Sequence, residues 1–238
     1  MRCSRCGVLV SPNAQRCPRC AQALPADAPP ARSSSGRWRV VRDTVVAWLE
    51  PEDAPVNPMV FWGRVVCWVV LIAWTPSFLF VALKGDATAM TLWMHRVYLV
   101  FHEAGHVLFS WGGRFLTVAG GTLGQLSIPA LCFGAFLRQR HVFGAAVALW
   151  WLGGSFVDCA PYISDARLGD LPLLGGGTGS DRPGTHDWTN LLRWMGLIMW
   201  DTRIGWATHI FGSALMVSAL VWAGWALRRQ RSQVDDRA

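Results

Sequence analysis

The sequence predicts an all-α polytopic membrane protein with four or five transmembrane helices, preceded by a small cysteine-rich module. Three observations indicate this fold class. Mean hydropathy is positive and 52% of the 238 residues are hydrophobic. Several apolar stretches are long enough to cross a hydrocarbon core of about 30 Å, and 15 Trp are available for the two membrane–water interfaces. Finally, two C-x-x-C pairs lie within the first twenty residues.

The cysteine pairs predict a structural zinc ribbon over residues 1–24. Each C-x-x-C forms a tight turn with two thiolates directed at one ion, and two such turns complete a tetrahedral site with no open position. So short a segment cannot bury a useful core, so metal binding would supply its folding free energy. Redox cysteines are the alternative interpretation. The predicted ligands are Cys3, Cys6, Cys17 and Cys20.

The charge distribution favours a cytoplasmic N-terminus. The formal net charge is +7, and residues 1–42 hold eight Arg against one Asp. Arginines beside a membrane mark its cytoplasmic side, and four thiolates around Zn²⁺ offset part of the excess, so no nucleic-acid partner is expected. The ribbon resembles those that begin many bacterial membrane proteins. This implies a multi-pass protein of a bacterial inner membrane, whose ribbon could bind a cytosolic protein.

The chain divides into four predicted regions: the ribbon, a juxtamembrane region 25–58, a transmembrane domain 59–228 and a basic tail 229–238. Within the second region, residues 25–35 are typical of a flexible linker and residues 38–50 of an amphipathic helix on the membrane surface. The clear spans of the third region are 59–83, 92–111, 142–157 and 206–227, and an apolar helix at 188–200 is too short to cross.

The segment 115–136 is apolar but interrupted by small and polar residues. It is interpreted as a broken span or a re-entrant loop, which membranes accept only where protein or water covers the backbone. A re-entrant loop would leave four full spans and place Arg138, Arg140 and the C-terminal arginines on the cytoplasmic side, so four spans are favoured over five. The interrupting residues are Gly120, Gly121, Gly124, Gln125 and Pro129.

An H-E-x-x-H motif lies inside the apolar helix at 92–111. Residues four apart share one helix face, so His102 and His106 can bind the same ion. Glu103 is placed to deprotonate a water at that ion. A buried Glu between two buried His is costly in hydrocarbon unless a cation compensates them. The motif therefore predicts a catalytic zinc site with Glu103 as general base.

At His102-Glu103-Ala104-Gly105-His106 the chain resembles the site-2 protease family of intramembrane zinc metallopeptidases, which carries H-E-x-G-H in a transmembrane helix. The resemblance covers residues 90–227. It implies two His ligands, a carboxylate ligand from a later span, Glu103 as general base, and peptide bonds of membrane-embedded proteins as substrates. The second family motif, N-x-x-P followed by L-D-G, is missing here.

The third zinc ligand therefore has several candidates. Asp158 is preferred, because an acid at the end of a span has few roles other than binding a metal, capping a helix or forming a salt bridge. His186 and Asp187 form a second polar cluster before an apolar helix, where Asp187 could also be the N-cap or orient a ligating His. Asp165 is a further candidate, since it follows Pro161 at nearly the family spacing.

Four other features have simpler interpretations. His95 is read as an interfacial histidine, with a gate or a contact to a ligand as the alternative, and His209 as a helix packing contact. Gln125 and Ser127 could hydrogen bond an extended substrate. The glycine-rich run 175–180 lacks the Lys and spacing of a phosphate-binding loop.

Together these observations predict an intramembrane zinc metalloprotease with one catalytic and one structural Zn²⁺. It would lie in the lipid bilayer and cleave a membrane protein substrate. One alternative is a membrane metal-binding or transport protein whose histidines hold an ion in transit. Another is a non-catalytic membrane adaptor whose working part is the ribbon.

Overall fold

The computed structural model describes residues 3, 5–8, 16–17, 19–21, 56–81, 83 and 93–235. The chain divides into two compact units, Met1–Trp48 and Leu49–Ala238. The predicted linker at 25–35 and surface helix at 38–50 lie outside the described residues.

The described part of the second unit is helical. Two 3₁₀ turns, Ser110–Gly112 and Ile198–Trp200, directly precede its third and last helices, and its only described β pairing is an isolated bridge between Pro172 and Thr178. The all-α prediction is confirmed for this part of the chain. The helices are α1 Pro58–Leu79, α2 Trp93–Leu108, α3 Gly113–Arg138, α4 Val142–Asp165, α5 Asp187–Trp194 and α6 Asp201–Asp235.

Within the part of the chain that the structure describes, four helical segments are long and apolar enough to cross a membrane. The motif helix α2 is not among them, because its 16 residues extend only about 24 Å. The segment expected to be broken or re-entrant is instead continuous within the 26-residue α3. The predicted basic tail also continues the helix α6 as far as Asp235. The four segments are Pro58–Leu79, Ser110–Arg138, Val142–Asp165 and Ile198–Arg231.

The glycines of α3 serve helix packing. A Cβ atom added to Gly105 of α2 would overlap the carbonyl oxygen of Gly120 and lie 3.0 Å from the Cα of Gly124. Small residues let two backbones approach closely, which is a main source of helix association in membranes. The residues that suggested an interrupted span are therefore those that bring α2 and α3 together.

The core lies around α4. Two-thirds of its span (67%) is buried inside the protein, against 17% for α1 at the periphery. Gly153 of α4 meets Gly212 of α6 backbone to backbone. The largest apolar cluster joins α1, α2, α4 and α6, so α4 is the scaffold on which the other helices rest. Its fully buried members include Phe78, Tyr98, Val157 and Met216.

Polar contacts identify one end of the helix bundle. Arg64, near the start of α1, donates to Oε1 of Gln230 near the end of α6 at 3.0 Å, and its Nη2 lies 3.2 Å from Nε2 of His141 in the α3–α4 turn. The start of α1, this turn and the end of α6 therefore share one face. We call it the arginine face; it carries Arg64, Arg138, Arg140, Arg228, Arg229 and Arg231.

The opposite end of the bundle holds the end of α2. The 3₁₀ turn Ser110–Gly112 joins the end of α2 to Gly113 at the start of α3. The ring of Trp93, the first residue of α2, lies 6.3 Å from the ring of Trp74, which in turn lies 5.8 Å from the ring of Trp150, eight residues after the start of α4. The motif helix thus begins inside the bundle and ends at the face opposite the arginine face, which we call the site face.

Candidate metal centre

Three ligand atoms converge beside α2. The imidazoles of His102 and His106 lie one turn apart, and Oδ2 of Asp187 is 3.1 Å from Nε2 of each. The three atoms lie within 4.8 Å of one another. A tetrahedral zinc ion with ligands at about 2.0–2.1 Å would separate nitrogen and oxygen ligands by about 3.3 Å. The observed spacing therefore fits a zinc ion.

Glycine at position 121 leaves space for that ion. A Cβ atom added to Gly121 of α3 would lie 2.5 Å from Nε2 of His102 and 2.6 Å from Nε2 of His106. Any side chain at this position would fill the volume into which both nitrogens point. The absence of a side chain is thus what allows a cation to contact the two imidazoles.

Hydrogen bonds fix the orientation of both imidazoles. Nδ1 of His106 donates to the backbone carbonyl of Thr117 at 2.8 Å, and Nδ1 of His102 donates to Oε1 of Gln125 at 3.2 Å. When Nδ1 carries the proton, Nε2 presents a lone pair. Two lone pairs and a carboxylate oxygen then face one another, an arrangement that a cation stabilises.

Asp158 lies behind the ligands, as a partner of Gln125. Its Oδ2 accepts a hydrogen bond from Nε2 of Gln125 at 2.9 Å, and its Oδ1 pairs with Nδ1 of His95 at 2.8 Å. Both carboxylate oxygens are therefore occupied away from the ion. The structure thus brings Asp187, and not the preferred candidate Asp158, beside the two imidazoles, because the side chain of Asp158 is held by Gln125 and His95. His95 is buried and bonded to Asp158, so it faces the protein interior and not lipid or water.

His186, also predicted as a ligand, does not join the cluster. Its Nδ1 accepts a hydrogen bond from the amide of Thr189 at 3.2 Å and so caps α5. Its Nε2 points to Oδ2 of Asp165 at 3.6 Å. Asp165 in turn accepts from the amides of Asp170 and Leu171. His186 and Asp165 therefore hold the start of α5, where Asp187 is the first residue.

The ligands face a cavity of about 250 Å³. Glu103 lies on its wall with an exposed side chain, so its carboxylate is available to a water or substrate in the cavity. His95, Tyr162 and Arg182 line other parts of the same wall. The site thus combines three ligands, a free carboxylate and room for a substrate segment.

The electrostatics of Asp187 favour a bound cation. Burial acts to raise the pKa of the Asp187 carboxyl, but hydrogen bonds with the imidazoles of His102 and His106 outweigh it and hold the pKa below its usual value. Asp187 is therefore anionic at neutral pH. A bound cation would replace the Nε2 protons that Asp187 accepts from the imidazoles, and a carboxylate with two neutral imidazoles is a donor set typical of catalytic zinc sites.

The four N-terminal cysteines also converge. Sγ of Cys3 lies 3.6 Å from Sγ of Cys20, and Sγ of Cys6 lies 3.5 Å from Sγ of Cys17. Tetrahedral zinc with sulfur ligands at about 2.3 Å separates them by about 3.8 Å. The amide of Arg19 donates to Cys17, which lowers the pKa of that thiol to about 6 and favours the ligating thiolate. The cluster could therefore bind a metal ion.

Family models, curated proteins and solved structures give no match to this chain. The resemblance to intramembrane metallopeptidases consequently depends on the H-E-x-G-H motif. Any assignment of function has to follow from the geometry of the ligands and of Glu103.

Proposed function

We propose that this chain is an intramembrane zinc metalloendopeptidase that hydrolyses peptide bonds of membrane-embedded proteins. The observation that supports this most directly is the convergence of His102, His106 and Asp187 beside the free carboxylate of Glu103. Three protein ligands leave a fourth coordination position, as in catalytic zinc sites, whereas structural sites use four. The surrounding helices are apolar enough to span a membrane, which supports a reaction in or beside the bilayer.

Two histidines and one aspartate would hold the metal. A bound zinc ion would supply Lewis-acid polarisation of a carbonyl group and would acidify a water molecule. Glu103 would accept the proton of the attacking water and deliver it to the nitrogen of the departing amine. Gln125 and Thr117 keep Nε2 of each imidazole directed at the ion throughout.

The substrate segment must be extended at the cleaved bond. In a helix the carbonyl oxygen is engaged by an amide four residues later, and the helix itself is about 10 Å wide with its side chains. A cavity of about 250 Å³ holds only a few residues. The site is therefore suited to an unwound segment of a membrane protein rather than to an intact helix.

The remaining parts of the proposal concern the N-terminal unit. We assign its cysteine cluster to a structural zinc ribbon that serves recognition or regulation, with a cytosolic protein as the partner. The arginines of residues 1–42, two of which lie within about 20 residues of the first span, support a cytoplasmic N-terminus. The membrane would be a bacterial inner membrane.

Glu103→Gln tests the proposed activity. The substitution preserves size but removes the base, so the purified variant should keep two zinc ions per chain, measured by metal mass spectrometry, and lose cleavage of a membrane-segment substrate by at least about 100-fold. Asp170→Asn, an exposed acid outside the centre, is the control and should leave both unchanged. If Glu103→Gln cleaves the substrate at the rate of the wild type, the proposed catalytic role of Glu103 is refuted. Zinc uptake into vesicles that persists without any cleavage would instead favour a transport protein.

A further inference from the structure

We infer that the zinc site opens on the non-cytoplasmic side of the membrane, so that its substrates are cut near the non-cytoplasmic ends of their membrane segments. This inference builds on the proposed function, because it specifies which bonds the protease would reach. It rests on the depth of the site within the helix bundle, on the segment above it and on the distribution of basic residues.

The ligands lie nearer to the site face than to the arginine face. Gly121 of α3, where an added Cβ would lie within 2.6 Å of both Nε2 atoms, is eight residues after the start of α3 at Gly113. At 1.5 Å per residue this is about 12 Å from the beginning of α3, and about 26 Å from its other end at Arg138. The metal centre therefore lies in the half of the bundle nearer the site face.

The motif helix ends at the site face. α2 begins inside the bundle, where Trp93 lies against Trp74, and it ends at the turn into α3. Asp187 reaches the centre from the same side, since α5 follows the end of α4.

A polar segment of the site face covers the cavity. Residues 166–186 connect α4 to α5, and within them Leu173, Arg182 and Thr185 line the cavity. The hydroxyl of Tyr162 near the end of α4 donates to the carbonyl of Pro172 at 2.8 Å and holds this segment over the site. Most of the segment is exposed. Substrate therefore reaches the zinc from the water or lipid of the site face.

The distribution of Lys and Arg indicates which face of the bundle lies on the cytoplasmic side of the membrane. The bias acts on residues within about 20 positions of the span ends, and nine Lys and Arg of this kind belong to segments that lead to or from the arginine face: Arg39, Arg42, Arg64, Arg138, Arg140, Arg228, Arg229, Arg231 and Arg237. Seven belong to the site face. The side with more Lys and Arg in its connecting segments is the cytoplasmic side, whereas acidic residues have little influence. The site face is accordingly the non-cytoplasmic one.

Cysteine labelling in intact bacterial cells tests this orientation. Ser180→Cys places a thiol in the exposed segment above the site, and Gln139→Cys places one in the exposed α3–α4 turn. With a membrane-impermeant maleimide, Ser180→Cys should gain one label per chain over the unsubstituted protein in intact cells. Gln139→Cys should gain its label only after permeabilisation. The reverse pattern, or equal labelling of both positions, would overturn the inference.

The orientation and the proposed activity can fail separately. Labelling needs no catalysis, so it is carried out in the Glu103→Gln background as well, and retention of two zinc ions shows that each cysteine variant is folded. If Ser180→Cys is labelled in intact cells but the wild type cleaves no substrate, the proposed protease activity is refuted and the orientation is not. If the wild type cleaves its substrate but the thiol of Ser180→Cys is not labelled in intact cells, only the orientation is refuted.

Discussion

Nε2 of His102 and Oδ2 of Asp187 lie 3.1 Å apart, although 85 positions separate the two residues in the chain. One belongs to the middle of α2 and the other to the first residue of α5. The centre is therefore complete only when α5 is docked against α2 and α3. Because metal would bind this docked state preferentially, zinc should stabilise the packing of α5 as well as the site itself.

Asp187→Asn should remove the zinc of this centre. An amide is a much weaker ligand than a carboxylate, and two imidazoles alone hold zinc poorly, so the zinc content should fall from two ions per chain to one, with loss of cleavage. Metal mass spectrometry of the purified protein measures this. Asp170→Asn is again the matched control. A variant that retains both zinc ions would exclude Asp187 as a ligand.

Asp158→Asn should weaken zinc binding without abolishing it. The substitution disturbs the acceptor for Gln125, and Gln125 fixes the ring of His102. Changes in such supporting hydrogen bonds typically cost about 10–100-fold in metal affinity. Competition with a chelator of known affinity gives the change in Kd. Complete loss of this zinc in Asp158→Asn, together with normal binding in Asp187→Asn, would restore Asp158 as the ligand.

Gly121→Ala should exclude the metal sterically. The added methyl would lie about where the ion belongs, within 2.6 Å of both Nε2 atoms, so we expect loss of one zinc ion per chain with all ligands present. Gly134→Ala is the control on the same helix, since a Cβ there meets no atom within 4 Å. If Gly121→Ala binds zinc normally, the ion does not lie between the two imidazoles and α3.

Gly105→Ala should loosen the contact between α2 and α3. Its methyl would overlap the backbone of Gly120, and overpacking of this kind costs about 1–3 kcal/mol. Thermal unfolding in detergent should show a lower midpoint than the wild type. Gly63→Ala in α1 meets no neighbour and should leave the midpoint equal or slightly higher. Equal midpoints for both variants would contradict the close approach of the two helices.

Replacing Cys3 and Cys6 together by Ser should remove one zinc ion per chain. Both sulfurs belong to the cluster of four, and two remaining thiolates cannot complete a tetrahedral site. The zinc of the histidine centre should remain. Cys132→Ser, which changes a cysteine of α3 outside that cluster, should leave the zinc content unchanged. If the double variant retains both zinc ions, the proposal of a zinc ribbon is refuted.

Much of the architecture could be predicted because it depends on residues that are close together in the sequence. Apolar length indicates a span, and H-E-x-x-H places two histidines on one helix face regardless of the rest of the fold. The C-x-x-C pairs are equally local. In the structure the side chains of His102 and His106 line the same cavity, and the sulfur atoms of the four cysteines lie close together.

The choice between Asp158 and Asp187, both of them predicted candidates, could not be made from the sequence because it depends on how a distant segment folds back. Asp158 and Asp187 are both acids beside apolar helices, and only the path of residues 166–186 decides which one reaches His102. The glycines of α3 posed a related difficulty. Glycine indicates flexibility in an isolated segment, whereas here close contact with Gly105 requires it. A regular spacing of small residues along α3 was the signal for packing.

The donor set of the histidine centre has a consequence for metal selectivity. Calcium and magnesium prefer six or more oxygen ligands, so two nitrogens and one carboxylate discriminate against both. The same donors favour copper over zinc by the usual order of divalent affinities. Under the proposed function, the transition metal that fills the site in a cell would therefore follow the supply of free ions in the compartment where the chain folds, more than any preference of these three side chains.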